Sequence, residues 1–226
     1  MAFFVSYILK YYKLPVSVNL FTGLCNSFHV INFTKNISLK IIGITGTLGA
    51  GKGTIVEYLT THYGFKHFSV RGYLTNIIKA RGKEVNRDSL THTANELRTQ
   101  NSPSFIAEEL FKEAQESGTN CIIESIRTVG EVNVLKGKGN FNLFSVDTDR
   151  RTRYERILKR ASETDMISFD TFSENEEREM SSTDPNKQNL SACMQLADYH
   201  FTNNGTFEEL YSQIDQAIEK TLTLKQ

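Results

Sequence analysis

The stretch Gly46-Thr47-Leu48-Gly49-Ala50-Gly51-Lys52-Gly53-Thr54 constrains this chain more than any other. It follows Leu39-Lys40-Ile41-Ile42-Gly43-Ile44-Thr45, a β-branched run suited to a strand buried on both faces. After it Ile55, Leu59 and the ring of Tyr63 recur on one helical face, and Gly64 offers a left-handed stop. Four glycines let successive backbone N–H groups turn inward at the start of that helix, which makes a nest for an anion. Lys52 is placed to reach the β- and γ-phosphates of a nucleotide, and the Thr54 hydroxyl to ligate Mg²⁺. Strand, glycine loop and helix in this order is the context that a phosphate-binding loop requires.

The remaining elements follow from periodicity and caps. Phe65 to Val70, Asn120 to Glu124, Phe141 to Asp147 and Tyr199 to Thr202 read as further strands. Asp88 or Ser89 is expected to cap a helix that turns Leu90, Ala94 and Leu97 inward. Ser102-Pro103 reads as an N-cap with proline in the first turn, opening a helix through Ile106, Leu110 and Ala114 to Gly118. Thr206 and Glu209 form a capping box for a last helix carrying Leu210, Ile214 and Ile218. Strands alternating with helices at this spacing imply α/β architecture with a parallel sheet covered on both faces. The polar stretch 159–189 reads as a mobile insertion.

Charge narrows the partners. Lys plus Arg and Asp plus Glu each number 26, so no basic excess exists of the kind that nucleic-acid phosphates demand. Within that balance residues 1–40 hold four Lys and no carboxylate, leaving residues 41–226 with a net charge of −4. No run of 18 apolar residues is present to span a bilayer. Cys25, Cys121 and Cys193 are widely spaced and lack metal-ligand or disulfide patterns, which fits a reducing, cytoplasmic setting. Residues 1–38 are acid-poor like a mitochondrial transit peptide but contain no Arg, so they read as a poorly defined N-terminal extension, with targeting the weaker alternative.

The form G-x-x-G-x-G-K-G-T, with Gly53 between Lys52 and Thr54, resembles the phosphate loop of nucleoside monophosphate kinases. That resemblance implies a three-layer α/β/α P-loop NTPase fold, a five-stranded parallel sheet and an arginine-rich helical lid. It also implies ATP and Mg²⁺, held by Gly46, Thr47, Leu48, Gly49, Ala50, Gly51, Lys52, Gly53 and Thr54, and an acceptor region after the second strand. There the family pattern Ser-Thr-Gly-Asp is matched only by Ser69, while Arg71 adds a cation. Ala94-Asn95-Glu96-Leu97-Arg98 and Ile122-Ile123-Glu124-Ser125-Ile126-Arg127 resemble a branch labelled dephospho-coenzyme A kinase-like or deoxynucleotide kinase-like. The usual Asp-Gly-x-Arg of that branch is met in chemistry by Glu124 and Arg127; Ser125 departs from it. The resemblance spans about residues 39–220 and implies a kinase domain over 39–226 with its lid at about 150–189.

Individual side chains take expected roles from their chemistry. Glu124, ending an apolar run, suits a Mg²⁺ contact or an acceptor hydrogen bond. Arg98 and Arg127 suit bidentate contact with an acceptor phosphate. Arg150, Arg151, Arg153, Arg156, Lys159 and Arg160 crowd eleven positions; Tyr154, Ile157, Leu158 and Ala161 define the inward face, and Arg153, Arg156 and Arg160 another. Arg156 and Arg160 carry the R-x-x-x-R spacing of lid arginines, and Arg178 is a candidate to join them. The expected catalytic set is therefore Lys52, Arg127, Arg156 and Arg160, with Ser69, Arg71, Arg98, Glu124 and Arg127 on the acceptor and Thr54 and Glu124 on the metal. Three functions follow: ATP-dependent phosphorylation of a (deoxy)nucleoside monophosphate, dephospho-coenzyme A kinase activity, or nucleotide sensing without turnover.

Overall fold

The computed structural model describes residues 39–160 and 167–223; the N-terminal extension expected at 1–38 and its targeting alternative lie outside them. A five-stranded, all-parallel sheet runs in the order β2-β3-β1-β4-β5, with β1 Ile41–Gly46, β2 Lys66–Ser69, β3 Cys121–Glu124, β4 Phe141–Asp147 and β5 Tyr199–Thr202. Alternating side chains feed two separate cores. Ile42, Ile44, Ile122, Phe144 and Val146 pack against α1 (Lys52–Tyr63) and α9 (Phe207–Thr223). Ile41, Cys121, Ile123 and Leu143 pack on the opposite face, against α2 (Val70–Ala80), α3 (Arg87–Gln100), α4 (Phe105–Glu116), α5 (Val129–Lys136) and α8 (Leu190–Gln195). Two further helices, α6 (Arg150–Arg160) and α7 (Phe169–Met180), follow β4. The expected three-layer α/β/α P-loop fold is the fold observed.

Several local expectations change in the structure. Val70 begins a helix rather than ending β2, because the Ser69 hydroxyl accepts from Gly72 N at 3.2 Å and caps α2. Asn86, not Asp88 or Ser89, caps α3: its Oδ1 accepts from Ser89 N at 2.8 Å while Ser89 Oγ accepts from Asn86 N at 2.9 Å. Ser102-Pro103 forms a turn before α4, closed by Phe105 N on Ser102 O at 3.1 Å, and Ser104 takes the cap position. Tyr63 is not inward; it is 36% exposed and its hydroxyl donates to Asp215 Oδ1 at 2.7 Å. Within the stretch expected to be a mobile insertion, the described part contains α7, anchored by buried Phe172 and Glu176. Gly64 does end α1 in the left-handed region, and Thr206 with Glu209 forms the expected box.

Candidate active site

The strand order reverses direction at β1, with β3 on one side and β4 on the other. Ligands in open α/β sheets bind beyond the C-terminal strand ends at such a switch point. The ends of β1, β3 and β4 here deliver the glycine loop, Glu124 and Asp147 to one place. The loop is held from beneath: Thr47 Oγ1 donates to Asp147 Oδ1 at 2.8 Å, and Thr148 Oγ1 and Asn203 Nδ2 both donate to Ala50 O, at 3.1 and 2.9 Å. Glycine is required where the loop meets its neighbours. Gly49 has φ +82° and a Cβ there would lie 2.7 Å from the Arg153 carbonyl oxygen; at Gly51, φ +110°, a Cβ would lie 2.2 Å from Asn203 Nδ2. Lys52 folds onto its own loop, donating to Gly46 O and Thr47 O at 2.8 Å each. Burial, and then the positive charge of Arg127, push its ammonium down to about 7.

A cavity of about 510 Å³ opens above the loop. Its walls carry seven cationic side chains against two carboxylates, in a chain whose total charge is zero. Lys52 and Thr54 line it together with Arg156 and Arg160 of α6. Arg87, Leu90, Thr91, Ala94 and Arg98 line it from one face of α3, and Val70, Arg71 and Leu74 from the adjoining α2. These two helices thus give it an apolar slot edged by guanidinium groups. The structure brings Ser69, Arg71, Arg98, Glu124 and Arg127 to this cavity together with Lys52, Gly53 and Thr54. Thr47 and Ala50, within the loop, are buried and anchor it to Asp147 and Asn203.

Most of these charges already have partners. Arg98 is 2% exposed and its Nη2 donates to Glu131 Oε1 at 2.8 Å, while its Nε has no hydrogen-bond partner. Glu131 also accepts from the backbone N–H groups of Arg127 and Thr128, at 2.8 and 3.0 Å, so it fixes the turn that carries Arg127. Glu124 lies 3.1 Å from His67 Nε2. Burial, the largest single influence, would raise its carboxyl, but the hydrogen bond and charge of His67 together with Lys52 and Arg127 outweigh it and hold the group below the usual range. Ser125, next to it, has φ +75°, which accounts for the glycine usual at this position in the resembling branch.

The α6 arginines divide differently from the pattern. Arg153 was grouped with Arg156 and Arg160, yet it is 3% exposed and grips Glu176 of α7 through two bonds, 2.7 and 3.0 Å. Its Nε also donates to Thr148 O at 2.7 Å, so it is a strut rather than a ligand for the cavity. Burying the guanidinium is tolerable because a carboxylate and carbonyls satisfy it. Leu158, assigned inward, is 36% exposed, Ile157 is buried, and Ala161 lies outside the described residues. Arg178 does not join the cluster; it is exposed and hydrogen-bonds Asn175 on its own helix. Arg156 donates to Asn203 O at 2.9 Å, tying α6 to the loop after β5.

A family model described as an AAA domain matches residues 42–181, which is more than half of the chain. The chain belongs to that family. The matched span of this AAA domain runs from β1 through α7, and so includes the glycine loop, the helices α2 and α3 and the α6 arginines. The chain is also similar to a UPF0200 protein of Methanococcus maripaludis strain C6, 28% identical over 82% of this chain and 100% of the relative. A second UPF0200 protein, MJ1399 of Methanocaldococcus jannaschii, is 29% identical over 81% of this chain and 91% of its own. Among solved structures, TT1252 from Thermus thermophilus shares the fold with a TM-score of 0.55 at 16% identity, covering 83% of this chain and 99% of that one.

Sequence reasoning passed over Arg87, Glu179 and Gln188, all on the cavity wall. Arg87 Nη2 lies 2.5 Å from Glu179 Oε1, and Arg127 Nη1 donates to Glu179 Oε2 at 3.0 Å and to Gln188 Oε1 at 2.6 Å. These side chains come from α3, from the turn after β3, and from α7 and the segment after it. Only tertiary packing joins them. A weak signal existed for Arg87: it stands at steps of three, four and seven residues before Leu90, Thr91 and Ala94, one helix face.

Proposed function

We propose that this AAA domain transfers the γ-phosphoryl group of ATP to a small phosphorylated acceptor, a nucleoside monophosphate of the ribo or deoxy series. One observation carries the reading: the phosphate loop and an apolar slot edged by Arg71, Arg87 and Arg98 open into the same cavity. A flat, apolar base suits the slot between Val70, Leu74, Leu90 and Ala94, and its phosphate suits the guanidinium rim. An ionised acceptor oxygen then forms a bond to the γ-phosphorus as the bond to the β–γ bridging oxygen breaks, and ADP leaves with that electron pair. No strong base is required, since the attacking oxygen is already deprotonated at neutral pH. Positioning and charge neutralisation carry the rate.

The chain's own residues have distinct parts in this. The loop amides and Lys52 hold the β- and γ-phosphates, and the Lys52 ammonium exchanges its loop carbonyls for phosphate oxygens. Arg127, Arg156 and Arg160 face the charge that spreads over the transferred group. For the metal, the cavity supplies the Thr54 hydroxyl and the Glu124 carboxylate; among the described residues no cluster of three His, Cys, Asp or Glu could hold an ion alone, so phosphate oxygens would complete the coordination. Mg²⁺ held there would draw electron density from the β- and γ-phosphates. Dephospho-coenzyme A kinase activity is the second reading. The contact between His67 and Glu124 favours it, because an oriented, ionised carboxylate could take the proton of a hydroxyl nucleophile.

A coupled assay of ADP release with ATP·Mg²⁺ separates these. A panel of ribo- and deoxynucleoside monophosphates should contain at least one turned-over acceptor, and Lys52→Ala should lower its rate by about 10²- to 10³-fold. Turnover of dephospho-coenzyme A alone would favour the second reading. No turnover, with melting temperature still raised by nucleotide, would point to a sensor.

A further inference from the structure

Glu179 stands where an anion would be expected. It is on α7, it lines the cavity, and its two carboxylate oxygens engage two different arginines: Oε1 takes Arg87 at 2.5 Å and Oε2 takes Arg127 at 3.0 Å. Arg87 comes from the acceptor face of α3, and Arg127 from the turn that follows Glu124 and Ser125. Arg127 keeps a second partner, Gln188 Oε1 at 2.6 Å, and its backbone is fixed by Glu131 and Asn189. The Arg127 guanidinium would therefore stay in place if the carboxylate left. Burial alone would raise Glu179, but Arg127 and Arg87 outweigh it and hold its carboxyl below the usual range, so it is a full negative charge at neutral pH.

A carboxylate bridging two arginines presents two oxygens in the way that a phosphomonoester presents two of its three. The exchange of one for the other replaces a single negative charge with nearly two, and it frees Glu179, whose side chain is 16% exposed here, to reach water. The rest of the cavity wall is in electrostatic deficit, with Glu124 the single other carboxylate against seven cations. We propose that Glu179 is an internal counter-anion, which the acceptor's phosphate displaces from Arg87 and Arg127, so that acceptor binding releases the Glu179 end of α7 from the cavity. The inference rests on the reading of this cavity as a phosphate-acceptor site and adds to it which arginines receive the phosphate and what they hold beforehand. It makes the site selective for dianionic phosphomonoesters: a monoanion gains little over the carboxylate that it must replace.

Inorganic phosphate is the probe, used with the full chain and read by calorimetry, so that the outcome does not depend on turnover. Glu179→Gln should tighten phosphate binding by about tenfold, because the resident competitor is gone while Arg87 and Arg127 remain. Adding Arg87→Met to Glu179→Gln should abolish that gain, which assigns it to this subsite and not to the glycine loop. Weaker or unchanged binding in Glu179→Gln would overturn the proposal, since a residue that merely orients the arginines cannot improve binding by its removal. Should Glu179→Gln not fold, the wild type decides by hydrogen exchange. Phosphate is then expected to speed exchange of the amides of 175–180, and unchanged or slower exchange would contradict displacement. Absence of kinase activity would leave both results standing.

Discussion

Glu131 and Arg98 form a pair that is 0% and 2% exposed at the side chain, and the two partners are not equivalent. Glu131 accepts from Arg98 and from two backbone N–H groups, so it stays satisfied if Arg98 is lost. Arg98 has no such reserve, because its Nε already lacks a partner. Removing Glu131 leaves a buried cation uncompensated, an effect of about 3–5 kcal/mol. We therefore expect Glu131→Met to cost at least about 2 kcal/mol more than Arg98→Met in urea unfolding, and equal costs would refute this asymmetry. The sequence made Arg98 legible as a cation near the acceptor but not its partner, since Glu131 lies 33 positions away and reads alone as an ordinary first-turn acid. Lys52, Thr54 and Glu124 were legible because loop and strand-end chemistry is local. Arg87 and Glu179 were not, because their roles exist only once α3 and α7 meet.

The helices α6 and α7 show how one element can hold two kinds of arginine. Arg153 and Ile157 face inward at a four-residue step, and Arg153 lies where the backbone of α6 touches Gly49 of the loop. Arg153→Met should destabilise the fold by about 3 kcal/mol and weaken nucleotide binding, as it removes both buried bonds to Glu176, leaving that carboxylate only Arg150 at 3.3 Å, and loosens the loop. Arg160→Met, on an exposed position at the cavity mouth, should leave stability within about 0.5 kcal/mol and slow turnover by about 10²-fold. Denaturant midpoints beside kcat values check both, and matched profiles for the two variants would contradict the division. Glu179 links α7 to pH. Its folded value lies below the ordinary value near 4.5, so the native state binds fewer protons than the unfolded chain in that window. The stability it supplies is complete above about pH 4.5 and is lost as pH falls through the folded value. The stability difference between wild type and Glu179→Gln should accordingly hold above about pH 4.5 and shrink as pH falls below it; a constant difference would count against the ion pairs. Periodicity could not separate Arg153 from Arg156, because a helix face is continuous and the boundary is set by what packs on it. Similarly, α2, α5 and α8 are not legible in the sequence: α5 and α8 are short, and α2 begins at Val70, directly after β2, at a residue that the strand pattern claims.

Across the molecule, the sheet was the most readable feature: β1, β3 and β4 are short, largely buried apolar runs closed by a polar or glycine residue, while the edge strands β2 and β5 are largely exposed. Its order places β1 between β3 and β4 and so gathers the glycine loop, Glu124 and Asp147 at one rim. The neutral total charge conceals the result, a cavity with seven cations and two carboxylates in a chain otherwise rich in acids. Such a field suits two compact phosphate groups brought together. The central claim is that both groups bind there and that one phosphoryl passes between them. Single-turnover mixing of the protein with ATP labelled at the γ-phosphorus, Mg²⁺ and a nucleoside monophosphate measures this directly. The account predicts label in the nucleoside diphosphate, formed about 10²- to 10³-fold more slowly with Lys52→Ala; label only in inorganic phosphate, or retained in ATP with every acceptor, would contradict it.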